Sequence, residues 1–422
     1  MTNKPTDYCA SGASSYRNVA PTLMALMWLA MVSFGFVFRE PAPADVLMIG
    51  AIGLLIVFGP VRFSSTVIRF LAIWLTISAF GMLSVYFSPV PKDSFIHMIV
   101  SLYLAIIAIM MAAFVSEDTL RRTQLIYSGY AVAAIGTSVL AVIGYFSLLP
   151  GAYDLFTLFG RAKGGFKDPN VLGAFLPPVI LLGLDRVIFA GAFRLIRGWL
   201  LAIPLLFFAL LISFSRGAWM NVFIAVGVWF VLSFVTSHSA NIRRRLTGLM
   251  IGGAVTAVIG VGIAFQFDSI SNLATERLVA VQEYDNQRFE GQAKALELIT
   301  QYPLGIGARS FNLGGFHKED VHNVYLSMFL NAGWLGGALF LYLSFGTLIV
   351  GLRYGLIQTP WQKLFLITYA SFVGVVVEGL IIDSDHWRHL YVLIGLLWGM
   401  MANMNDRQEN STQPLPAYIV NK

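Results

Sequence analysis

The sequence predicts an all-α integral membrane protein with about twelve transmembrane helices and one large loop on the outer face. Three observations carry this. Of 422 residues, 57% are hydrophobic and 12% charged, where a soluble domain carries roughly 25% charged residues. Mean hydropathy is +0.73. Apolar segments of about 20 residues, the length needed to cross the hydrocarbon core, recur along the chain.

In order, the apolar segments fall near 19–38, 44–60, 67–87, 94–115, 125–149, 171–189, 195–213, 217–235, 246–267, 322–352, 362–382 and 387–402. Pro177-Pro178 and Pro204 lie inside them, which neighbouring helices tolerate by re-satisfying the freed backbone groups. An even count puts both termini on one side. Lys and Arg choose that side, because cytoplasmic loops carry the basic excess. One set of loops holds Arg62, Arg121, Arg122, Arg186, Arg194, Arg197, Arg243, Arg244, Arg245, Arg353 and Lys363. The short loops opposite hold only Arg39, Lys92, Arg216 and Arg388. Both termini are therefore expected in the cytoplasm, and segments 150–170 and 268–321 outside, the periplasm in a bacterium. The expected division is a cytoplasmic tail over 1–18, nine helices over 19–267, the large outer loop over 268–321, three helices over 322–402 and a polar tail over 403–422.

Composition also excludes. Cys9 is the only cysteine, so neither an intrachain disulfide nor a cysteine-based metal site is expected. The polar N-terminus lacks the basic-then-apolar pattern of a cleaved signal peptide. The net charge of +6 reports topology in a membrane protein, and no nucleic-acid partner is expected.

A second basic population departs from that topology. The stretch "GRAKGGFKDPN" supplies Arg161, Lys163 and Lys167 on the outer side, with two glycines that allow close backbone approach to a ligand. "SFSRGAW" puts Arg216 in a very short loop at membrane depth. The large loop adds Arg277, Arg288, Lys294, Arg309 and Lys318. Cations facing an outer cavity suit an anionic ligand, and the planar fork of Arg suits phosphate. Plainer readings stand beside this one. Arg216 reads equally as a residue snorkelling to headgroups. Lys163 and Lys167 fit a solvated loop, Asp168 a turn or cap, and Lys294 a surface pair with Glu290 or Glu297. "RFEGQAKALELITQYPLGIGARSF" reads as an amphipathic helix lying on the membrane surface, then a glycine turn.

"VHNVYLSMF" sets His322 and Asn323 where the large loop enters a span. A lone histidine at a span end is commonly an interfacial hydrogen-bonding residue. Its neighbours, and a usual pKa near 6.5, make His322 the candidate base. "IIDSDHWRH" brings Asp383, Asp385, His386, Arg388 and His389 to the same face, as a metal cluster or as carboxylates that orient a histidine or bind a sugar hydroxyl. His97 and His238, at other span ends, read as structural.

The order of "GRAKGGFKDPNVLGAFL", "SFSRGAW", "YPLGIGARSF" and "HNVYLSMFLNAGWLGG" resembles the O-antigen ligase superfamily, which includes the lipopolysaccharide O-antigen ligases and the O-antigen and exopolysaccharide polymerases. These stretches cover roughly the second half of the chain, and the twelve-span layout fits the whole. The resemblance implies a GT-C-like glycosyltransferase of the bacterial inner membrane, its active site periplasmic. The donor would be a glycan on undecaprenyl diphosphate. The acceptor would be a hydroxyl of lipid A–core in a ligase, or of another lipid-linked repeat in a polymerase. It implies His322 as the catalytic residue and Arg161, Arg216 and Arg288 on the diphosphate; the residues themselves add Lys163 as a further cation there, and Asn323, Asp383 and Asp385 as candidates in support. An aromatic residue that the family often carries shortly after the loop arginine is replaced by Gly291 and Gln292, which leaves Arg288 and Arg309 as alternatives there.

The chemistry fits independently. Diphosphate leaves well once arginines meet its charge, so no metal and no other cofactor is expected. His322 would take the proton of the attacking hydroxyl, and a single displacement inverts the anomeric carbon. Beyond donor, acceptor and bilayer, a chain-length regulator or other envelope-assembly protein is an expected partner. A twelve-span transporter is the rival class. It calls for charges near the midplane, and Asp185 and Glu378 are the exceptions that would serve it. A pure scaffold leaves the outer arginines unexplained.

Overall fold

The computed structural model describes residues 8–412 except 60–62, 190–192, 265 and 267–282. Arg62, Arg277 and the far ends of both expected tails lie outside the described residues. The chain runs α1 (Tyr8–Ser33), α2 (Pro43–Phe58), α3 (Ser65–Val85), α4 (Pro91–Glu117), α5 (Thr119–Tyr145) and a short α6 (Ala152–Phe156). A two-residue ribbon follows, β1 (Thr157–Leu158) antiparallel to β2 (Arg161–Ala162), with Leu158 opposite Arg161. Then come α7 (Pro169–Phe175), α8 (Pro177–Phe189), α9 (Phe193–Ile212), α10 (Arg216–Thr236), α11 (Ala240–Ala264), α12 (Glu283–Gln301), α13 (Ser310–Leu313) and α14 (Val324–Leu341). A π-helical turn, Tyr342–Gly346, leads into α15 (Thr347–Gly355), and α16 (Gln362–Glu378) and α17 (Arg388–Thr412) close the order.

The protein is an all-α membrane protein. Every apolar segment read from the sequence carries helix, but only six helices among the described residues are long and apolar enough to cross a bilayer: α3, α4, α5, α7–α8, α10 and α14–α15. The difference has visible causes. Helix α16 has 17 residues. Helix α17 ends in the polar run "NMNDRQENST", extending to Thr412. Helix α11 opens on Arg243–Arg245. Apolar stretches of α1, α2 and α9 are shorter still. Prolines behave as expected: Pro204 sits within α9, and Pro177 marks the joint between α7 and α8.

The α4 and α7–α8 spans are the most buried. Helix α17 lies against α4 through a Gly-x-x-x-Gly step, as small residues permit in membranes. A side chain at Gly395 or Gly399 would meet the carbonyl oxygen of Ala108 or Ala112 at 2.6 Å. Helix α10 lies against α16, where Asn221 Nδ2 donates to Glu378 Oε2 at 2.7 Å. The Asn221–Glu378 bond holds the start of α10 at the end of α16, and the Val324 N–H, bonded to the Gly379 carbonyl at 2.9 Å, holds the start of α14 there too. That end of the bundle carries the candidate site.

The large-loop helix, expected to lie along the membrane surface, packs one face on protein. The buried face of α12, Ala295 and Leu298, packs with Ile306, Phe311, Val321 and Leu330 in a small core of its own. Trp334 of α14 donates its ring N–H to the Ile299 carbonyl at 2.7 Å, and Ile306 N–H bonds the Leu330 carbonyl at 2.8 Å. Helix α14 thus covers one face of α12, while Phe289 and Leu296 of that helix stay exposed.

Candidate functional site

At the His322 end of the bundle a cavity of about 550 Å³ opens between α4, α7, the α12–α14 segment and the loop joining α16 to α17. His322, Arg288, Arg309 and Asp383 line it, as do Asp385 and His386. Segments far apart in sequence thus meet in one place.

His322 is held mainly by its backbone. Its φ is +52°, a left-handed conformation that costs a residue with a side chain roughly 1–3 kcal/mol and persists only where surroundings enforce it. Two bonds enforce it here. The His322 N–H donates to Asp383 Oδ2 at 2.9 Å, and Gln292 Nε2 donates to the His322 carbonyl at 3.3 Å. The second carboxylate oxygen of Asp383 accepts from Ser327 Oγ at 2.5 Å, tying that anchor to α14. Asn323 is the N-cap of α14: its Oδ1 accepts from the N–H groups of Tyr325 (3.0 Å) and Leu326 (3.1 Å), and its Nδ2 donates to the Leu380 carbonyl at 3.1 Å. The His-Asn pair therefore divides the work. Asn323 starts the helix, and His322, one residue before it, is turned toward the cavity.

The imidazole is 23% exposed, with Nε2 3.7 Å from Glu319 Oε2. Burial first, and then the charge of Arg288, hold its pKa below the ordinary histidine value, against the opposing pull of Asp320 and Glu319. The ring is thereby kept neutral, with a lone pair to accept a proton. Burial, and then the neighbouring Asp385 charge, push Asp383 up to about 6.

The arginines divide. Arg288 and Arg309 both line the cavity, and Arg309 pairs with Asp320 at 3.6 Å. Arg161, Lys163 and Arg216 are not among the lining residues. Arg161 instead joins two of the family-like stretches, donating from Nε to the Ser213 carbonyl and from Nη2 to Asn170 Oδ1, each at 2.8 Å. Asn170 does line the cavity, so Arg161 stands directly behind the wall, and Arg216, the first residue of α10, follows the Ser213–Ser215 turn that Arg161 holds. Lys167 pairs with Glu40 at 3.0 Å. Asp168 caps α7 by accepting from Asn170 N–H at 2.6 Å, and Lys294 pairs with Glu297 at 2.8 Å.

Two expectations are corrected here. The glycines of "GRAKGGFKDPN" approach the protein, not a ligand: side chains at Gly164 and Gly165 would meet Thr137 Oγ1 at 2.5 Å and the Gly35 carbonyl oxygen at 2.3 Å. The acid-histidine cluster before α17 separates. Arg388 turns to Asp45, with Nη2 2.8 Å from Oδ2. His389 is buried with its ring edge toward Phe175. Asp385 and His386 face the cavity and are joined by His97 of α4. His97 had read as structural, and Gln292 as a departure from the family pattern. Nothing local in the sequence places either beside the site.

Six carboxylates line the cavity (Glu40, Asp93, Asp168, Asp320, Asp383 and Asp385) beside the two arginines. The wall thus combines a neutral histidine, cations suited to phosphate, and acids suited to sugar hydroxyls.

The fold defines the class: a multi-pass membrane protein whose polar chemistry gathers at one end of a helical bundle. Residues 201–341 match the family model described as O-antigen ligase. That segment is about a third of the chain and includes Arg216, Arg288, Arg309, His322 and Asn323. The match supports the O-antigen ligase superfamily and with it a glycosyltransferase-like membrane function. No curated protein matches the chain.

Proposed function

We propose that the protein is a metal-independent, inverting glycosyltransferase of the bacterial inner membrane. It moves a glycan from undecaprenyl diphosphate to a hydroxyl of lipid A–core at the periplasmic face. One observation carries this reading: His322, Arg288 and Arg309 line a single cavity and fall within the family-matched segment. Twelve spans, a GT-C-like layout and cytoplasmic termini complete it, because the basic excess of the remaining loops favours that orientation.

Arg288 and Arg309 meet the diphosphate charge as it develops, which lowers the barrier to departure. Arg161 and Arg216, behind the wall at Asn170 and the start of α10, extend the positive field, with Lys163 on the same loop. Neutral His322 accepts the acceptor hydroxyl proton while that oxygen bonds to the anomeric carbon. The bond to the diphosphate oxygen breaks on the opposite face, so the configuration inverts. Asp383 keeps His322 turned inward, and Asp385 serves the acceptor side with Asn323 as helix cap.

The test is the glycan profile of a deletion strain carrying either the wild type or His322→Ala. For a ligase, the variant accumulates long lipid-linked glycan beside bare lipid A–core. Loss of long chains with single repeats accumulating assigns the polymerase reaction instead. An unchanged profile, with the variant inserted at normal levels, removes the transferase reading and favours transport.

A further inference from the structure

Transfer as described gives Asp385 a place on the acceptor side but leaves His97 and His386, in the same cavity wall, without a task. His97, in the second turn of α4, lies with Nε2 2.9 Å from Asp385 Oδ2. His386 stacks on His97, with ring centroids 3.9 Å apart and planes tilted by 21°. Its Nε2 is 2.9 Å from Ser101 Oγ, one turn along α4. One ring nitrogen from each histidine and one Asp385 oxygen lie within 4.8 Å of one another. The loop is anchored beneath them, since the Tyr391 hydroxyl donates to the Asp385 carbonyl at 2.6 Å.

Two imidazoles and a carboxylate are a ligand set that zinc and similar transition ions take. An ion at about 2.0–2.2 Å from each ligand draws the three atoms together and splays the stacked rings. Asp385 and His386 lie outside any helix, so the loop before α17 can supply that turn.

We propose that His97, Asp385 and His386 form a binding site for a divalent transition ion of the zinc class, which clamps α4 to the loop before α17. The site is distinct from the displacement chemistry proposed above, in which arginines alone assist the leaving group. It rests on the geometry of these three residues and not on the identity of donor or acceptor.

Zinc titration of the purified full-length protein, stripped with chelator and held in nanodiscs, tests it. The wild type is expected to take up one zinc per chain and to gain in Tm with zinc, with magnesium giving neither effect. His386→Ala and the more conservative His386→Gln and Asp385→Asn are expected to bind at least about tenfold more weakly and to lose the zinc-dependent rise in Tm. His322→Ala is expected to bind zinc as the wild type does. No zinc uptake by the wild type, or wild-type uptake by folded His386→Gln, overturns the proposal. The readout needs neither donor nor acceptor. Failure here leaves the transferase reading standing, and failure of transfer with zinc uptake intact leaves the site standing.

Discussion

At the scale of the residue, His322 combines a strained backbone with a ring kept neutral. Its depressed pKa has a definite sign. The base form dominates at neutral pH and is lost only as pH falls through the folded-state value, which lies below the ordinary 6.5 or so. The acid limb of the kcat/KM profile for transfer should therefore fall below pH 6.5, and an acid limb above it would show another group at work. Removing a general base typically costs about 10²–10⁴-fold, so His322→Ala should lose transfer by that factor while accumulating normally. Asp383 holds the left-handed backbone of His322 through one oxygen and Ser327 through the other. Asp383→Ala should therefore reduce kcat about as severely, and small-molecule imidazole should restore His322→Ala but not Asp383→Ala.

At the scale of the element, α14 and the turn before it set the geometry. Asn323 satisfies two N–H groups at the start of α14, and loss of such a cap costs about 1 kcal/mol. Asn323→Ala should lower Tm modestly and reduce activity only through that shift. Gly307 is less forgiving. Its φ is +86°, and a side chain there would meet Ser88 Cβ at 2.5 Å. Backbone strain of this kind costs roughly 1–3 kcal/mol before any clash is relieved, so Gly307→Ala should destabilise the protein by at least that, read as a loss of Tm in detergent. The same elements show what was legible in advance. His322 and Asn323 were readable because they stand together at a polar-to-apolar boundary, and Arg288 and Arg309 because they are cations on the side that the basic excess leaves poor. Asp383 and Asp385 were readable because charges between apolar segments stand out. His97 was not, because its partner Asp385 is 288 residues away and a single histidine near a span end looks the same whether it faces lipid or a cavity. Arg388 was misassigned for the complementary reason. It is adjacent in sequence to the cluster, but helix α17 turns it to Asp45, 343 residues away. The glycines at 164 and 165 signalled close approach correctly, but composition carries no information on what approaches.

At the scale of the molecule, apolar length and charge identified an all-α membrane protein, and each apolar segment does carry helix. The count of crossing helices is harder to read, because α16 is short and α17 is apolar over only part of its length. Those helices depend on their neighbours: α17 on α4 through Gly395 and Gly399, and α16 on α10 through Glu378 and Asn221. Reporter fusions at both termini should place them in the cytoplasm, with a fusion near residue 315 in the periplasm. The reverse arrangement would put His322 on the wrong side for lipid A–core.

The most direct test of the central claim is turnover by the purified protein in liposomes, supplied with a diphosphate-linked glycan and lipid A–core. The wild type should release undecaprenyl diphosphate stoichiometrically with a new glycosidic bond of inverted configuration, and His322→Ala should do so at least about a hundredfold more slowly. A retained configuration, or undiminished turnover by His322→Ala, would contradict the account.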